Sequence, residues 1–257
     1  MPTQILTPNL MSRTTTGGAT DESQRKAAIV VGFAYLFALA PAIFAEFYVR
    51  AQLVVSDNTP QTARNIVAHE RLFRLGIASN LTVFALDVVL ITALYIVLEP
   101  VHRRLALLAA GWGLVETSTL VVVTLSDFDV LRILSNASYL HVFEADRLQA
   151  LARLSVGAHA ATYNVGLVLA GLRSTLFCYL WFKSRLVPKA LAAWGILASF
   201  LMGASAFLFI IFPELANVVP VEIYGGPIFL FELIMGFWLL FAGLRPSPAA
   251  APQLERR

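Results

Sequence analysis

The segment that most constrains this chain is Leu72 to Leu98, LFRLGIASNLTVFALDVVLITALYIVL. A helix of about 27 residues is long enough to cross a hydrocarbon core of roughly 30 Å. Asp87 lies near the middle of the segment, where an ionised carboxylate costs at least about 2.5 kcal/mol to insert into lipid. The segment therefore predicts a membrane-spanning helix in which Asp87 is neutral, paired or turned toward water.

Composition places the chain among integral membrane proteins. Hydrophobic residues make up 58% of the sequence, charged residues make up 14%, and the mean hydropathy is +0.73. The net charge of +3 does not indicate a nucleic-acid partner, because the basic residues lie between apolar runs rather than in one patch. The single cysteine, Cys178, lies in an apolar run and cannot form a disulfide framework. We therefore expect the lipid bilayer as a partner and no nucleic acid.

The apolar runs predict an all-α fold, a polytopic membrane helix bundle of about six transmembrane helices. The spans form one domain, residues 25–245. Residues 1–24 and the Ala/Pro-rich residues 246–257 lack apolar periodicity and predict disordered tails, the first of them cytoplasmic. The predicted spans are residues 27–48, 72–98, 105–125, 158–182, 190–212 and 227–244.

Local features add detail to this topology. Pro41 predicts a kink in the first span, and Thr59-Pro60 predicts the start of a helix, capped by Thr59, that continues into the second span. The stretch from Glu144 to Leu154 predicts an extra amphipathic helix on the membrane surface between spans three and four. A ladder of small residues in span five favours the close approach of another helix: it consists of Gly195, Ser199 and Gly203.

The short turns indicate the orientation of the chain. Residues 213–226, which follow span five, contain no Lys or Arg. Short loops rich in Lys and Arg stay on the cytoplasmic side of a membrane. The turns after spans two and four are basic and contain Arg103, Arg104, Lys183, Arg185 and Lys189. We therefore expect both termini in the cytoplasm.

Three charged residues lie within predicted spans at similar depth. Counted from the cytoplasmic ends at about 1.5 Å per residue, Asp87, Glu116 and Arg173 lie at about 16, 16 and 13 Å. An arginine stays protonated and requires an acceptor, and two carboxylates at its depth offer charge-assisted hydrogen bonds. We expect this trio to meet near the middle of the membrane and to be part of a ligand-binding site.

A second polar tier lies nearer the predicted outer face and suggests a cavity that opens outward. On the fourth span, Tyr163 shares a helix face with Arg173. For His159, a hydrogen-bonded interfacial role and proton transfer are both open. The further ligand-binding candidates are Glu46, Asn80, His159, Tyr163, Asn164 and Glu232. Of these, the two glutamates lie near span ends and could simply reach water.

Common catalytic and metal motifs are absent from the sequence. It contains no HExxH, no GxSxG, no Gly-rich phosphate loop and no pair of histidines at metal spacing on one helix. The four histidines, His69, His102, His141 and His159, fall mainly at predicted loops or interfaces, and no lysine lies within a span. We therefore expect no metal, no haem, no retinal Schiff base and no other cofactor.

Four runs carry a resemblance to a known family. They are ARNIVAHERLFRLG at residues 63–76, ALYIVLEPVHRRLALLAA at 93–110, FKSRLVPKAL at 182–191 and FELIMGFWLLFAGLR at 231–245. On these runs the chain, from about Arg25 to Arg245, resembles bacterial integral membrane proteins known as domain of unknown function 4386. The resemblance implies a multi-span helical fold and, with the basic turns, a bacterial cytoplasmic (inner) membrane. It implies no activity and no substrate.

Three functions agree with these residues. The first is the binding, and by extension transport or sensing, of a small apolar or amphiphilic molecule, with Asp87, Glu116 and Arg173 as polar anchors. The second is an intramembrane enzyme acting on a lipid or isoprenoid, in which one carboxylic acid donates a proton and the other carboxylate stabilises a developing cation. The third is a non-catalytic membrane partner protein in which Arg173 only clasps the helices together. The sequence sets neither the choice among them nor the oligomeric state.

Overall fold

The computed structural model describes residues 16–55, 58–135 and 142–245, in which all regular structure is helical. The prediction of an all-α membrane bundle is confirmed. The helices are α1 (Thr16–Ile43), α2 (Ala51–Leu53), α3 (Thr59–Ala68), α4 (Glu70–Leu134), α5 (Ala145–Ser184), α6 (Lys189–Ile211), α7 (Val221–Tyr224) and α8 (Gly226–Phe237). A π-helix, Phe44–Arg50, continues α1, a second π-helix, Trp238–Ala242, continues α8, and a 3-10 helix spans Pro213–Asn217. Residues 1–15 of the predicted first tail and residues 246–257 of the second lie outside the described residues.

Helix length and surface composition identify a membrane protein. In the part of the chain that the structure describes, four helices are long and apolar enough to cross a membrane: Glu22–Leu53, α4, α5 and α6. A shorter apolar helix spans Gly226–Ala242. Large apolar side chains such as Leu197 and Phe200 are exposed on the outside of the bundle, where lipid tails rather than water are their favourable surroundings.

The 65-residue helix α4 is a hairpin of two arms. His102, two residues after Pro100, has non-helical dihedral angles of φ −164° and ψ 91°, and its Nδ1 accepts a hydrogen bond from the Leu105 amide at 3.3 Å, which caps the second arm. Positions equally far from His102 pack together: Ile91 with Gly113, Phe84 with Leu120, and Phe73 with Leu131. The two arms are therefore antiparallel, and they correspond to the predicted spans two and three.

The remaining helices close a ring with this hairpin. Gln24 at the start of α1 donates to the Val97 carbonyl near the end of the first arm at 3.0 Å, so these two segments are antiparallel. Helix α5 packs along the second arm, α6 packs along α5, and α8 contacts both α6 and α1. The ring order is thus α1, first arm, second arm, α5, α6 and α8. Counting each arm separately gives six apolar segments, and six membrane passes remain a prediction.

Small residues set the contact between α5 and α6. A Cβ on Gly171 would lie 2.5 Å from the Gly203 Cα, which leaves no room for a side chain there. The predicted close approach at the ladder of span five is therefore confirmed, and the partner is α5. At Gly195 a Cβ would meet the Cys178 sulfur and the Phe231 ring instead.

The bundle has two different ends. The basic end contains the His102 turn, the turn between α5 and α6, and Arg245, whose amide donates to the Leu186 carbonyl at 2.8 Å. The capped end contains α2, α3, the 3-10 helix and α7. Helix α5 continues past the level of Ile211, the last residue of α6, by roughly 25 Å at about 1.5 Å per residue. The capped end is therefore stepped.

Three predicted helix boundaries differ in the structure. Asn58, not Thr59, caps α3, because its side chain accepts from the Gln61 amide at 2.9 Å. The helix predicted to run on into span two is interrupted at His69, where φ is −124° and ψ is 39°. The amphipathic stretch from Glu144 to Leu154 is helical but not a separate helix, since no proline or turn stops it from continuing into α5.

Candidate functional site

A cavity of about 800 Å³ opens at the capped end between α1, α5, α6, α7 and α8. It occupies the step left where α6 ends and the chain crosses over through the 3-10 helix and α7. Its walls are largely apolar and aromatic, including Phe47, Phe209 and Phe229. Its polar lining consists of Glu46, Arg50, His159, Tyr163, Asn164, Glu222 and Tyr224. Ligand sites of proteins have this volume and this combination of apolar walls with few polar groups.

A π-helix supplies one wall of the cavity. Helix α1 passes through Pro41 and changes to π-helical hydrogen bonding over Phe44–Arg50. This wider turn brings Glu46, Phe47 and Arg50 to the cavity. Short π-helical turns in α-helices are frequent at functional sites.

Behind this wall lies a buried pair, Asp127 and His159. The His159 Nδ1 is 2.8 Å from the Asp127 Oδ1. His159 is 2% exposed and Asp127 is 4% exposed. The Arg50 Nη1 lies 4.0 Å from the same oxygen. An ionised Asp127 favours the His159 tautomer with its proton on Nδ1, and in this tautomer Nε2 is the ring nitrogen that can accept a hydrogen bond. The Tyr163 ring stacks on the His159 ring at a centroid distance of 6.2 Å.

Glu46 has a neutral partner. The buried Asn80 donates from Nδ2 to the Glu46 Oε1 at 3.1 Å. In the described part of the chain, no Lys, Arg or His nitrogen lies within 4.0 Å of the Glu46 carboxylate. Asn80 therefore fixes the direction of this carboxylate without neutralising it.

Tyr224 and Glu222 belong to α7, which covers the cavity outside the spanning helices. Partial burial raises the pKa of the Tyr224 hydroxyl, and the neighbouring Glu222 carboxylate raises it further. The hydroxyl thus stays protonated and can donate a hydrogen bond into the cavity. The Tyr224 ring meets the Phe209 ring edge to face at 5.2 Å.

The deep charged residues form a separate cluster. The Arg173 Nη2 donates to the Glu116 Oε1 at 3.1 Å, and the Arg173 Nε lies 2.5 Å from the Glu116 Oε2. Both side chains are buried. Arg173 passes directly over Gly113, where a Cβ would lie 2.6 Å from the Arg173 Cδ. The pair therefore joins α5 to the second arm of α4 by a two-point ionic contact.

Asp87 and Glu232 surround this pair without joining it. Both are half-buried and lie within electrostatic range of the Arg173 guanidinium. Among the described residues, no cationic nitrogen lies within 4.0 Å of either carboxylate. The predicted meeting of Glu116 with Arg173 is thus confirmed, while Asp87 is a neighbour rather than a direct partner.

The predicted site residues therefore fall into two groups. Glu46, His159, Tyr163 and Asn164 line the cavity, with Asn80 behind Glu46. Asp87, Glu116 and Arg173 do not line it, and Arg173 follows His159 on α5 by about 21 Å at about 1.5 Å per residue. Glu232, predicted near the outer face, lies instead beside the deep group.

Four cavity or near-cavity residues were not predicted as site residues: Arg50, Asp127, Glu222 and Tyr224. Asp127 was assigned to the connection after span three, but α4 continues to Leu134. It follows Glu116 by eleven residues, about three helical turns, so a signal was present in the periodicity. Glu222 and Tyr224 lie in a helix of four residues, which has no periodic pattern to detect.

Potential metal ligands are dispersed over the part of the chain that the structure describes. Across residues 16–55, 58–135 and 142–245, no group of three or more His, Cys, Asp or Glu side chains is placed to hold a metal ion. His141 lies outside the described residues.

Comparison with known proteins gives a family and no activity. No curated protein and no solved structure matches the chain significantly. The model of one family, described as a domain of unknown function, matches residues 30–243. The match covers most of the chain and confirms the predicted resemblance. The chain belongs to the domain of unknown function family DUF4386.

Proposed function

We propose that this protein binds a small amphiphilic molecule in the cavity at the capped end, as a step in transporting or sensing it. The observation that carries this proposal is the cavity of about 800 Å³ with apolar walls and several convergent polar side chains. A drug-sized ligand loses most of its water-exposed surface in a site of this size, and the few polar groups fix its orientation.

The lining suggests how such a molecule lies. The apolar part packs against Phe47, Phe209 and Phe229, and the polar part faces Glu46, His159 and Asn164. Because His159 is held by Asp127, its ring is already oriented before a ligand arrives. Preorganised polar groups of this kind raise affinity by reducing the entropy lost on binding.

We assign the deep cluster a structural role in this function. Glu116 and Arg173 form a buried ion pair, and Arg173 lies about 21 Å from His159 along α5. Neither residue lines the cavity. The pair holds α5 against the hairpin and thereby keeps the cavity wall in place.

We further propose that the chain lies in a bacterial cytoplasmic membrane with its basic end, and both termini, on the cytoplasmic side. The support is the basic turns at Arg103, Arg104, Lys183, Arg185 and Lys189, all at the basic end of the bundle. In this orientation the cavity opens toward the outer side of the membrane. A ligand would enter from that side or from the outer lipid leaflet.

An intramembrane enzyme acting on a lipid or isoprenoid is the second candidate. The Asp127–His159 pair beside the cavity favours it, since a carboxylate-oriented histidine is a competent general base. Such an enzyme would release an altered molecule on incubation, whereas a binding protein returns the molecule unchanged. A non-catalytic partner protein would hold no small molecule at all.

Native mass spectrometry on protein in mild detergent tests the binding proposal. Gly226 lines the cavity and Gly111 lies outside it, and a Cβ on either glycine would meet nothing within 4 Å. We expect a bound small molecule in the wild type and in Gly111→Phe, and its loss in Gly226→Phe, which adds a phenyl group at a cavity-lining position. Equal occupancy in all three proteins, or none in the wild type, would reject the proposal.

A further inference from the structure

We infer that the ligand of this cavity is a lipophilic cation, a molecule of the quaternary ammonium or phosphonium class with apolar substituents. This inference rests on the proposed function and names its ligand class. It follows from the charges around the cavity and from the aromatic rings among them.

The first observation is an excess of negative charge. Glu46 and Glu222 line the cavity, and Asp127 lies directly behind it. The basic groups are Arg50 and His159, and both are directed to Asp127, at 4.0 Å and 2.8 Å. Within the described residues, Glu46 and Glu222 have no cationic partner at ion-pair distance.

The second observation concerns Glu46 itself. It is half-buried beside Ile43 and Phe47 in an apolar wall, and Asn80 holds its carboxylate with a single neutral hydrogen bond. Buried charges in proteins are normally paired, because removal from water is unfavourable. A bound cation would supply the missing counter-charge in a position that the fold has already prepared.

The third observation is the aromatic content of the walls. Tyr163, Tyr224, Phe47, Phe209 and Phe229 all line the same cavity as Glu46. Aromatic faces attract cations, and proteins recognise quaternary ammonium groups in this way. Aromatic rings also exclude water, which strengthens the attraction between a carboxylate and a bound cation.

An anionic amphiphile fits these observations less well. Its headgroup would face two carboxylates, and among the described lining residues its one permanent cationic contact would be Arg50, which already lies near Asp127. An uncharged amphiphile would leave Glu46 with its Asn80 hydrogen bond and no counter-charge. The geometry therefore favours the cation over both.

Two ions of the same shape and opposite charge test this inference. Tetraphenylphosphonium and tetraphenylborate, with uncharged triphenylphosphine oxide as a third probe, are titrated against the full chain in lipid nanodiscs, with empty nanodiscs as background. We expect tetraphenylphosphonium to bind about tenfold more tightly than the uncharged probe, because one carboxylate and several ring faces act on the charge alone. Tetraphenylborate is expected to show no binding above background.

Variants assign the effect to the cavity. Glu46→Gln should weaken tetraphenylphosphonium binding about tenfold and leave the uncharged probe unchanged. Glu222→Gln leaves the contact between Glu46 and Asn80 intact and should weaken tetraphenylphosphonium binding about threefold. It is the test variant if Glu46→Gln does not fold. Glu144→Gln is the matched control, since Glu144 is exposed at the same end and lies outside the cavity.

The outcomes separate this inference from the proposed function. Equal affinity for the three probes, tighter binding of the borate, or phosphonium binding that survives Gly226→Phe would each overturn the lipophilic cation. If Gly226→Phe abolishes binding of the uncharged probe while the charge of the probe has no effect on affinity, the small-molecule proposal holds and the lipophilic cation is rejected. If no probe binds, but native mass spectrometry shows a bound small molecule in the wild type and none in Gly226→Phe, the small-molecule proposal again holds and the lipophilic cation is rejected.

Discussion

Charged side chains have different kinds of partner in the two polar regions of this bundle. In the deep region, the Arg173 guanidinium and the Glu116 carboxylate neutralise each other in a buried two-point contact. At the capped end, Glu46 accepts a hydrogen bond from the neutral Asn80 amide, has no cationic partner among the described residues, and borders a cavity of about 800 Å³. The position of a charge within a membrane therefore does not identify a ligand site. Pairing and access to a cavity distinguish a structural ion pair from a ligand group.

This comparison predicts that loss of charge in the deep region affects folding most. Removing Arg173 leaves Glu116 buried without its partner, and breaking a buried pair in this way destabilises a protein by about 3–5 kcal/mol. We expect Arg173→Leu to lower the apparent Tm by roughly 10 °C or to prevent recovery of folded protein. Thermal melting followed by size-exclusion chromatography in mild detergent measures this.

A double variant sharpens the same prediction. Replacing a buried ion pair by apolar side chains of similar size is often neutral for stability. The Arg173→Leu, Glu116→Leu double variant should therefore recover most of the lost Tm and still bind ligand in the cavity. Recovery of the fold without ligand binding would show that the deep pair has a functional role as well.

A smaller effect on stability is expected at Gly113. A Cβ there would lie 2.6 Å from the Arg173 Cδ and 2.7 Å from the Ile91 Cδ1, so Gly113→Ala must displace the arginine. Overpacking of this kind costs about 1–3 kcal/mol. Gly111, two residues earlier on the same helix, would meet nothing within 4 Å, and Gly111→Ala should be neutral or slightly stabilising. Equal Tm values for the two variants would contradict the close contact between the Arg173 side chain and the backbone at Gly113.

The sequence predicts the deep region better than the cavity. Hydropathy locates the membrane-spanning part of each helix, and equal depth alone is enough to bring Glu116 and Arg173 together. Hydropathy does not locate the ends of helices that continue beyond the lipid, because apolar periodicity stops there while hydrogen bonding does not. The span predicted from hydropathy therefore ends at residue 125, although α4 runs to Leu134 and carries Asp127 into the site.

The cavity also depends on features that one sequence does not show. Its space exists because α6 ends at Ile211 while α5 continues alongside. Its Glu46 and Arg50 face inward through a π-helix, which differs from an α-helix by one hydrogen-bond register and has no distinctive composition. The individual residues Glu46, His159, Tyr163 and Asn164 were recognised as candidates, but their shared cavity required the packing of five helices.

A charge variant at the capped end tests the electrostatics of the cavity rather than its stability. Asp127→Asn keeps the shape of the side chain and removes the charge that faces Arg50 at 4.0 Å. Arg50 would then be free to attract anions, so tetraphenylphosphonium affinity should fall about threefold and tetraphenylborate should begin to bind. Binding assays in nanodiscs measure both, and Asp129→Asn, on the exposed surface of the same arm, is the control. Unchanged affinities for both ions would show that Arg50 does not act on the ligand.

The smallest effects are expected when one tyrosine hydroxyl is removed in each region. Tyr163 lines the cavity, and its ring, stacked on His159, is retained in Tyr163→Phe. Loss of one hydrogen bond to a ligand should reduce affinity by about two- to tenfold, while Tm stays within about 2 °C because the packing is preserved. Tyr35 is buried near Arg173 and does not line the cavity, so Tyr35→Phe should leave affinity unchanged and alter stability alone, by about 1 kcal/mol at most. If both variants changed the same property, the division of this membrane interior into a structural region and a ligand region would be wrong. If each changed only its own property, the division would hold at the level of a single hydroxyl group.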